Sequence, residues 1–523
     1  MVKKVIEKVL FVIIMTVAVV IVTRCTSNHG AKEGFVYIED GVFKVDGEQF
    51  FPLMLNYKVD MMTFGDDLVL GAVKYYDNPE IYEPTTKQEA LDQFSSHMQI
   101  VEDLGFNTVR LCLNVISAND KGRYFSVQSG VVYLKDKTDQ ILDAVEEMVS
   151  IVASHNMKVM LLLKPSWDAE LAKFNSALMK RLSNEKTVFA YDLMNEPLYF
   201  DEVKDRLKAD AVDLVGKWVD KAKTDAPNHL FTIGFAEPIE VFSWDPSIMP
   251  VDFIEIHTYN PLSIPNEIWW YSHYVKKPWM IGETSLPADD DSVSYEQQCF
   301  FAEQAYQYTI DCGGIGFGWW AFQDFSQSDD INYEGIYSGV LNHEGTMTTQ
   351  NGYVIQGTLK PVAYSFAGLK SLKKGEPEKA VNYYNNFGYH NAKITGRIVN
   401  YKGEPIEGAV IRGWNNTWRT GLNTFTDENG VFNLYSNDEC VHFAISAPGY
   451  DTKRFDMYLE YRDANGANSD FTDLPDRNIK SSMVSFGKFL KEENKLFDFK
   501  EDEFNKAVIF ADMGVIKLEM LGK

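Results

Sequence analysis

The chain has 523 residues, too many for one ordinary domain, and 45% of them are hydrophobic, enough to fill sizeable cores. Acidic side chains outnumber basic ones, 75 to 50, and the formal charge of −25 repels nucleic acid and other polyanions, so a neutral ligand is expected. Ten Trp and 27 Tyr suit a protein that presents flat apolar faces.

Lys3, Lys4 and Lys8 precede an apolar run from Val9 to Val22, followed by "TRCTSN". A basic start with an apolar core of this length is an export signal, since a membrane span needs about 20 residues. Residues 1–25 resemble a bacterial lipoprotein signal in which Cys25 becomes the lipidated residue, although Arg24 stands where such signals carry a small side chain. An uncleaved membrane anchor is the alternative. Both place the protein in the cell envelope, as a lipoprotein of the outer membrane or cell surface, or secreted. Residues 26–35 form a linker. Cys112 lies in the apolar "VRLCL" as a small buried hydrophobe. Cys299 and Cys312 flank a helix that would hold them roughly 20 Å apart. With Cys440 they make no disulfide framework and no metal-ligand spacing.

Along the chain, "FVYIEDGVFKVDGEQF" alternates and carries two Asp-Gly turns, a hairpin suited to plug the base of a barrel. Apolar runs follow at 50–56 ("FFPLMLN"), 107–113 ("NTVRLCL"), 158–164 ("KVMLLLK") and 188–194 ("VFAYDLM"). Four more are at 230–235 ("LFTIGF"), 252–259 ("DFIEIHTY"), 278–283 ("PWMIGE") and 314–322 ("GIGFGWWAF"). Amphipathic helices such as "KQEALDQFSSHMQIVEDLG" and "TDQILDAVEEMVSIVASHN" lie between them. Strands that alternate with helices imply a parallel sheet, and near-continuous apolar strands imply burial on both faces. Eight such units predict an α/β fold, a (β/α)8 TIM barrel, over residues 36–372. An open doubly wound sheet is the competitor, but no Gly-rich phosphate loop follows the first strand. After a linker at 373–390 the helices stop, and short strands separated by Gly, Asp, Asn and Pro turns predict a small all-β sandwich over 391–523. "GEPIEGAVI" and "TDENGVF" resemble the carboxypeptidase regulatory-like, transthyretin-like domain. "SSMVSFGKFLKEENKLF" reads as a helix and "MGVIKLEML" as a closing strand.

The fourth run ends on Asn195-Glu196-Pro197. A helix boundary would explain that, and so would an active site at the mouth of a barrel. The seventh run also ends on a carboxylate, Glu283, and the C-terminal strand ends of a barrel carry its active site. Two glutamates across one pocket are the parts needed to cleave a glycosidic bond. One must be protonated to help the leaving oxygen depart and the other ionised to attack the anomeric carbon, so their surroundings must push their pKa values apart.

"DLMNEP", "IHTYNP" and "IGETS" resemble clan A glycoside hydrolases, most closely family 5, over residues 36–372. The resemblance implies that Glu196 is the acid/base and Glu283 the nucleophile, with anomeric configuration retained, carboxyls about 5–5.5 Å apart and no metal or other cofactor. It also implies that Asn195 binds the sugar 2-hydroxyl and that Arg110 keeps the nucleophile ionised. Tyr259 would bond Glu283 and His257 would order the site, the two being two apart on one strand. Trp320 would be the sugar-stacking platform, with Trp319 turned into the helix layer, and Asn56 and Tyr57 would line the site. Many members have a His at the end of the third strand; here "LLLKPSWDAE" offers Lys164, Trp167 and Asp168, which leaves the sugar open. The segment 58–92, with Tyr75, Tyr76 and Asp77, is expected to form another substrate wall. Trp414 and Trp418 are a packing pair or, alternatively, a sugar platform.

The expectation is a tethered β-glycosidase that takes a neutral polysaccharide or oligosaccharide, of glucan or mannan type, with no nucleic-acid partner. Its membrane contact would be the lipid anchor. The sandwich would be a spacer or a rigid appendage. The rivals are a non-catalytic glycan-binding protein on a degenerate barrel and a transglycosylase of the same clan.

Overall fold

Eight parallel strands close on themselves in sequence order: β1 (Leu53–Phe64), β2 (Thr108–Cys112), β3 (Lys158–Leu162), β4 (Val188–Asn195), β5 (Leu230–Phe235), β6 (Ile254–His257), β7 (Trp279–Glu283) and β8 (Phe317–Trp319). The pairing of β8 with β1 seals the ring, so the fold is a TIM barrel. This computed structural model describes residues 32–72, 83–113, 116–117, 131–165, 169–261, 263–324, 336–377, 390–472, 474 and 507–522. The expectations for residues 1–25 with Cys25, for Tyr75, Tyr76 and Asp77, for Trp167 and Asp168, and for a helix over 481–497 lie outside the described residues. Among the described residues no helix is long and apolar enough to cross a membrane.

The helices follow the apolar periodicity. α1 (Lys87–Asp103), α2 (Thr138–Ser154), α3 (Ala169–Arg181), the single turn α4 (Pro197–Phe200), α5 (Lys208–Asp225), α6 (Ile264–Tyr274), α7 (Tyr295–Asp311) and α8 (Pro361–Leu369) surround the barrel. On α2 the buried side chains are Ile141, Leu142, Ala144, Val145, Met148, Val149 and Val152, a stripe at helical spacing. α7 starts on a capping box between Ser294 and Gln297, which satisfies two backbone donors at once. At the barrel's base the chain before β1 folds back at Asp40-Gly41 and Asp46-Gly47, all four with positive φ, as tight hairpin turns require. The plug it makes inserts Phe43 edge-on against Phe189 and Phe253, with ring centroids 5.9 and 5.0 Å apart.

β1 is longer than its apolar run. It continues to Phe64 and pairs antiparallel with Asp67–Ala72. Strand alternation turns Asn56 inward and Tyr57 outward. Tyr57 is buried against Phe94 and bonds His97 Nδ1 of α1 at 2.8 Å, so it does not line the site. β8 is shorter than its run, and Trp319 faces outward between Phe301 of α7 and Phe366 of α8.

The connection from β5 to β6 holds no α-helix, only the 3-10 turn Pro238–Phe242. The sandwich docks at that gap. Its sheets are β12-β9-β16-β15 and β11-β10-β13-β14, built from β9 (Ala392–Val399), β10 (Val410–Trp414), β11 (Leu422–Phe425), β12 (Val431–Ser436), β13 (His442–Ser446), β14 (Lys453–Asp456), β15 (Arg462–Asp463) and β16 (Ile509–Lys517). Ile394, Ile411, Phe432, Leu434, Phe443 and Ile445 fill the space between them. Outside that core, Val410, Phe425 and Ala444 join the barrel's own apolar cluster. Hydrogen bonds cross the junction from Trp270 Nε1 to Gly408 O (2.8 Å), Thr452 Oγ1 to Phe242 O (2.7 Å) and Gly449 N to Asp245 Oδ2 (2.8 Å). Buried Lys208 ties Asp245 to Ala447 O. The sandwich is thus a wall of the barrel and not a distant spacer.

Candidate active site

Glu196 is both a helix boundary and a cleft residue. Pro197 opens α4 at its first position, where a missing N–H costs nothing. Glu196 itself sits at φ 41, ψ 75, the left-handed region, and its N–H donates to Gly234 O of β5 at 2.8 Å. A non-glycine held there costs on the order of 1–3 kcal/mol, which the surrounding structure must offset. The strained turn lifts the carboxylate out of the strand. Glu283 ends β7 opposite. One oxygen of each carboxylate and a ring nitrogen of His257 lie within 4.8 Å of one another.

Arg110 of β2 is fully buried beneath the two glutamates. It donates to Glu283 Oε1 at 2.5 Å, Asp192 Oδ2 at 2.6 Å, Asn56 Oδ1 at 2.9 Å and Asn195 Oδ1 at 3.0 Å. Asn56 is also fully buried and donates to Gly282 O and Trp319 O. Asn56 was expected to line the site and Arg110 to keep the nucleophile ionised. Their amide and guanidinium are spent inside the floor, where they position Glu283 and Asn195.

His257 Nδ1 is hydrogen-bonded to Glu196 Oε1 at 3.0 Å and lies 3.7 Å from Glu283 Oε1. Tyr259 hydroxyl donates to Glu283 Oε2. β6 ends at His257, so Tyr259 reaches Glu283 from the loop beyond and not from the strand. Two glycines on the flanking strands make this crowding possible. A Cβ on Gly234 would meet His257 Nε2 at 2.5 Å, and one on Gly282 would meet Glu255 Oε1 at 2.5 Å.

The two glutamates titrate in opposite directions. Burial raises the Glu196 pKa, and the nearby Glu283 charge adds to it, against a smaller pull from His257. Burial also acts to raise Glu283, but His257, Arg110 and the Tyr259 hydrogen bond together hold it below the ordinary carboxylate value. Burial would depress His257, yet Glu283 and Glu196 raise it. One carboxyl is therefore biased toward the acid form and the other toward the anion.

Above this floor is a cleft of about 550 Å³ lined by Asn195, Glu196, His257, Tyr259, Glu283 and Trp320, with Lys58, Tyr199, Phe200 and Glu237 at its sides. Trp320 is half-buried there, and the Trp320–Ala321 peptide is cis. Lys164 is not among the lining residues; its carbonyl instead accepts from Asn175 Nδ2. Glu196, His257 and Glu283 also form a set able to hold a metal ion, but the Arg110 guanidinium already neutralises Glu283 at contact distance.

The buried carboxylates Asp192, Glu255 and Glu240, close to the two glutamates, have no counterpart in the sequence-based expectations. Asp192 is salt-bridged to Arg110. Glu255 has no hydrogen bond at either oxygen, with Arg110 Nε 3.7 Å away, and burial and the neighbouring Asp192 push its pKa up to about 8. Glu240 accepts from Leu198 N at 2.8 Å and is held well above its usual range by burial. A signal existed for two of them: a charged residue inside a strand buried on both faces, "AYDLMN" and "IEIH", has to point into the barrel.

Residues 85–326, a little under half of the chain, match the family model Cellulase (glycosyl hydrolase family 5). The domain over these residues is that of an O-glycosyl hydrolase. No curated protein sequence matches the chain. Among solved structures the chain is similar to an exo-beta-1,4-mannosidase from Opitutaceae bacterium strain TAV5, with 15% identity, TM-score 0.44, and 64% of this chain and 62% of that chain covered. The chain thus spans less than two thirds of that mannosidase. It is also similar to the endo-beta-1,4-mannanase from Thermotoga petrophila, with 13% identity, TM-score 0.39 and coverage of 79% and 98%. A family 5 mannosidase from Rhizomucor miehei aligns at 11% identity and TM-score 0.41, over 65% and 97%.

Proposed function

We propose that the protein hydrolyses neutral β-linked glycans, of glucan or mannan type, with retention of anomeric configuration. The observation that carries this reading is the Glu196–Glu283 pair, within 4.8 Å across His257 and biased to opposite protonation states. With one oxygen of each carboxylate that close, the pair fits the spacing of about 5–5.5 Å used for direct attack by a carboxylate better than the wider spacing of about 6.5–9.5 Å used by inverting enzymes. Ionised Glu283 attacks the anomeric carbon as the glycosidic C–O bond breaks, and Glu196 gives its proton to the departing oxygen. Glu196 then takes a proton from water, whose oxygen attacks the same carbon and frees Glu283. Arg110 and Tyr259 hold Glu283 in register for the attack, and Asn195, fixed by Arg110, meets the sugar beside it. Trp320 offers an apolar face for the ring. The charge of −25 favours a neutral chain over a polyanionic one. The basic start, the apolar run and Cys25 support export and tethering through a lipid on Cys25.

The test is a panel of β-glucans, mannans, xylans and galactans, with proton NMR of the products in the first minutes. Release of the β-anomer by wild type, lost in Glu283→Gln, is the expected result. Initial release of the α-anomer would reject the double displacement, and binding without turnover would reject hydrolysis.

A further inference from the structure

The cleft's floor belongs to the barrel, but one of its walls is fixed by the sandwich. Glu237 follows β5 and precedes the 3-10 turn on which the sandwich rests. Its carboxylate accepts from Tyr199 hydroxyl at Oε1 (3.1 Å) and from Asn423 Nδ2 at Oε2 (3.2 Å). Asn423 lies on β11 and is 1% exposed. Its Oδ1 accepts from Arg412 Nη1 at 2.6 Å, and a guanidinium can only donate, so the amide nitrogen is turned toward Glu237. Arg412 is itself fixed: it donates to Trp418 O and lies 4.5 Å over the Trp418 ring, which meets Phe242 of the barrel edge-on. An unbroken chain of contacts therefore runs from the sandwich's barrel-facing side to the rim of the catalytic cleft.

The side of the cleft follows from the chemistry. Glu196 would protonate the departing oxygen, so the leaving group must lie on its side, away from Glu283 and Trp320. Tyr199 stands three residues beyond Glu196 on α4, and Glu237 on the neighbouring connection. Tyr199 is 59% exposed, an aromatic face open to a ligand, and a carboxylate beside it is an acceptor for hydroxyl groups. Such a pairing fits a sugar ring.

We infer that the sandwich completes a subsite for the leaving-group sugar: Asn423 holds the Glu237 carboxylate beside Tyr199, and Glu237 accepts hydrogen bonds from the first sugar beyond the cleaved bond. This rests on the glycosidase reading above. Asn423 is a positioning residue, and Glu237 with Tyr199 makes the contact. The appended domain then sets preference for the leaving group while the barrel performs the chemistry.

Asn423→Asp separates this role from folding. The carboxylate keeps its acceptor bond to Arg412 but loses the donor to Glu237 and repels it. Wild type, Asn423→Asp, Glu237→Gln and the double variant are compared on cellotetraose and mannotetraose, and on the 2,4-dinitrophenyl β-cellobioside and β-mannobioside. The aryl substrates share the sugar on the Glu283 side but carry no leaving-group sugar. The expected result is about a tenfold fall in the ratio of tetraose to aryl kcat/KM, mainly through KM, with Asn423→Asp adding nothing on top of Glu237→Gln. Equal losses on both substrate types, or none on the tetraoses, would overturn the inference. Cleavage of the aryl substrates alone by wild type would overturn it too. If wild type cleaves nothing, the glycosidase reading fails, and calorimetric binding of the tetraoses decides the inference alone. About tenfold weaker binding by Asn423→Asp would sustain the sugar contact at Glu237 and Tyr199 without its leaving-group role; equal binding, or none to either protein, would end it.

Discussion

The barrel and the sandwich bury different kinds of side chain. Between the sandwich's two sheets lie Ile394, Ile411, Phe432, Leu434, Phe443 and Ile445. Toward the open end of the barrel lie Arg110, Asp192, Glu255, His257 and Glu283, all at most 4% exposed. Taking an ion out of water costs several kcal/mol even after relaxation, so a barrel that only had to be stable would fill this space with apolar groups. At its plugged base it does so, with Phe43, Phe189 and Phe253. Arg412, buried in the sandwich, faces the barrel and not the gap between the sheets. Inside the barrel, buried charge thus gathers around the two glutamates and is absent from the plugged base, whereas the buried Lys208–Asp245 pair serves the junction with the sandwich.

Four substitutions would break or sharpen that contrast, and the largest effect is on rate. Glu196→Gln should lower kcat on a glycan by about 10²- to 10⁴-fold, the usual worth of a general acid, while the unfolding midpoint changes little. Steady-state kinetics beside thermal unfolding checks both halves. The wild-type pH profile should rise as Glu283 ionises, below the ordinary value of 4.5, and fall as Glu196 loses its proton, above it. Phe443→Ala should do the reverse. Emptying that site in the sandwich costs about 3–5 kcal/mol in denaturant titrations, with turnover of an aryl glycoside retained well below the unfolding temperature.

Glu255→Gln tests the buried charge directly. Its folded pKa, about 8, exceeds the ordinary 4.5, so between those values the folded protein holds a proton that the unfolded chain has released. Wild-type stability should therefore fall as pH rises through that window, and the variant's should fall less steeply. Parallel slopes in thermal unfolding from pH 5 to 8 would show that Glu255 does not carry this proton. The smallest effect is expected from Trp270→Phe, which removes one hydrogen bond across the junction to Gly408 O and should cost about 1 kcal/mol.

Much of the barrel was legible because its signal is local. Runs such as "KVMLLLK" and "PWMIGE" are strands because buried parallel strands must be apolar on both faces, and observed β3 and β7 fall inside them. Glu196 and Glu283 stood out as carboxylates at the ends of such runs. Tyr57 was misplaced because the apolar run did not reveal that β1 continues to Phe64, and alternation then sends Tyr57 outward. Asn56 was assigned to the lining because its position on a strand end was readable and its depth below the cleft was not.

The sequence by itself determined the strand and helix periods, the two Asp-Gly turns of the plug and the strand ends where the glutamates lie, because each depends on residues adjacent in the chain. Only the tertiary structure decided that a sandwich covers the gap between β5 and β6, that Arg110 is shared among Glu283, Asp192 and Asn195, and that Asn423 reaches Glu237 across 186 positions. Those are contacts between surfaces brought together by packing, and no local period of the chain encodes which surface will meet which.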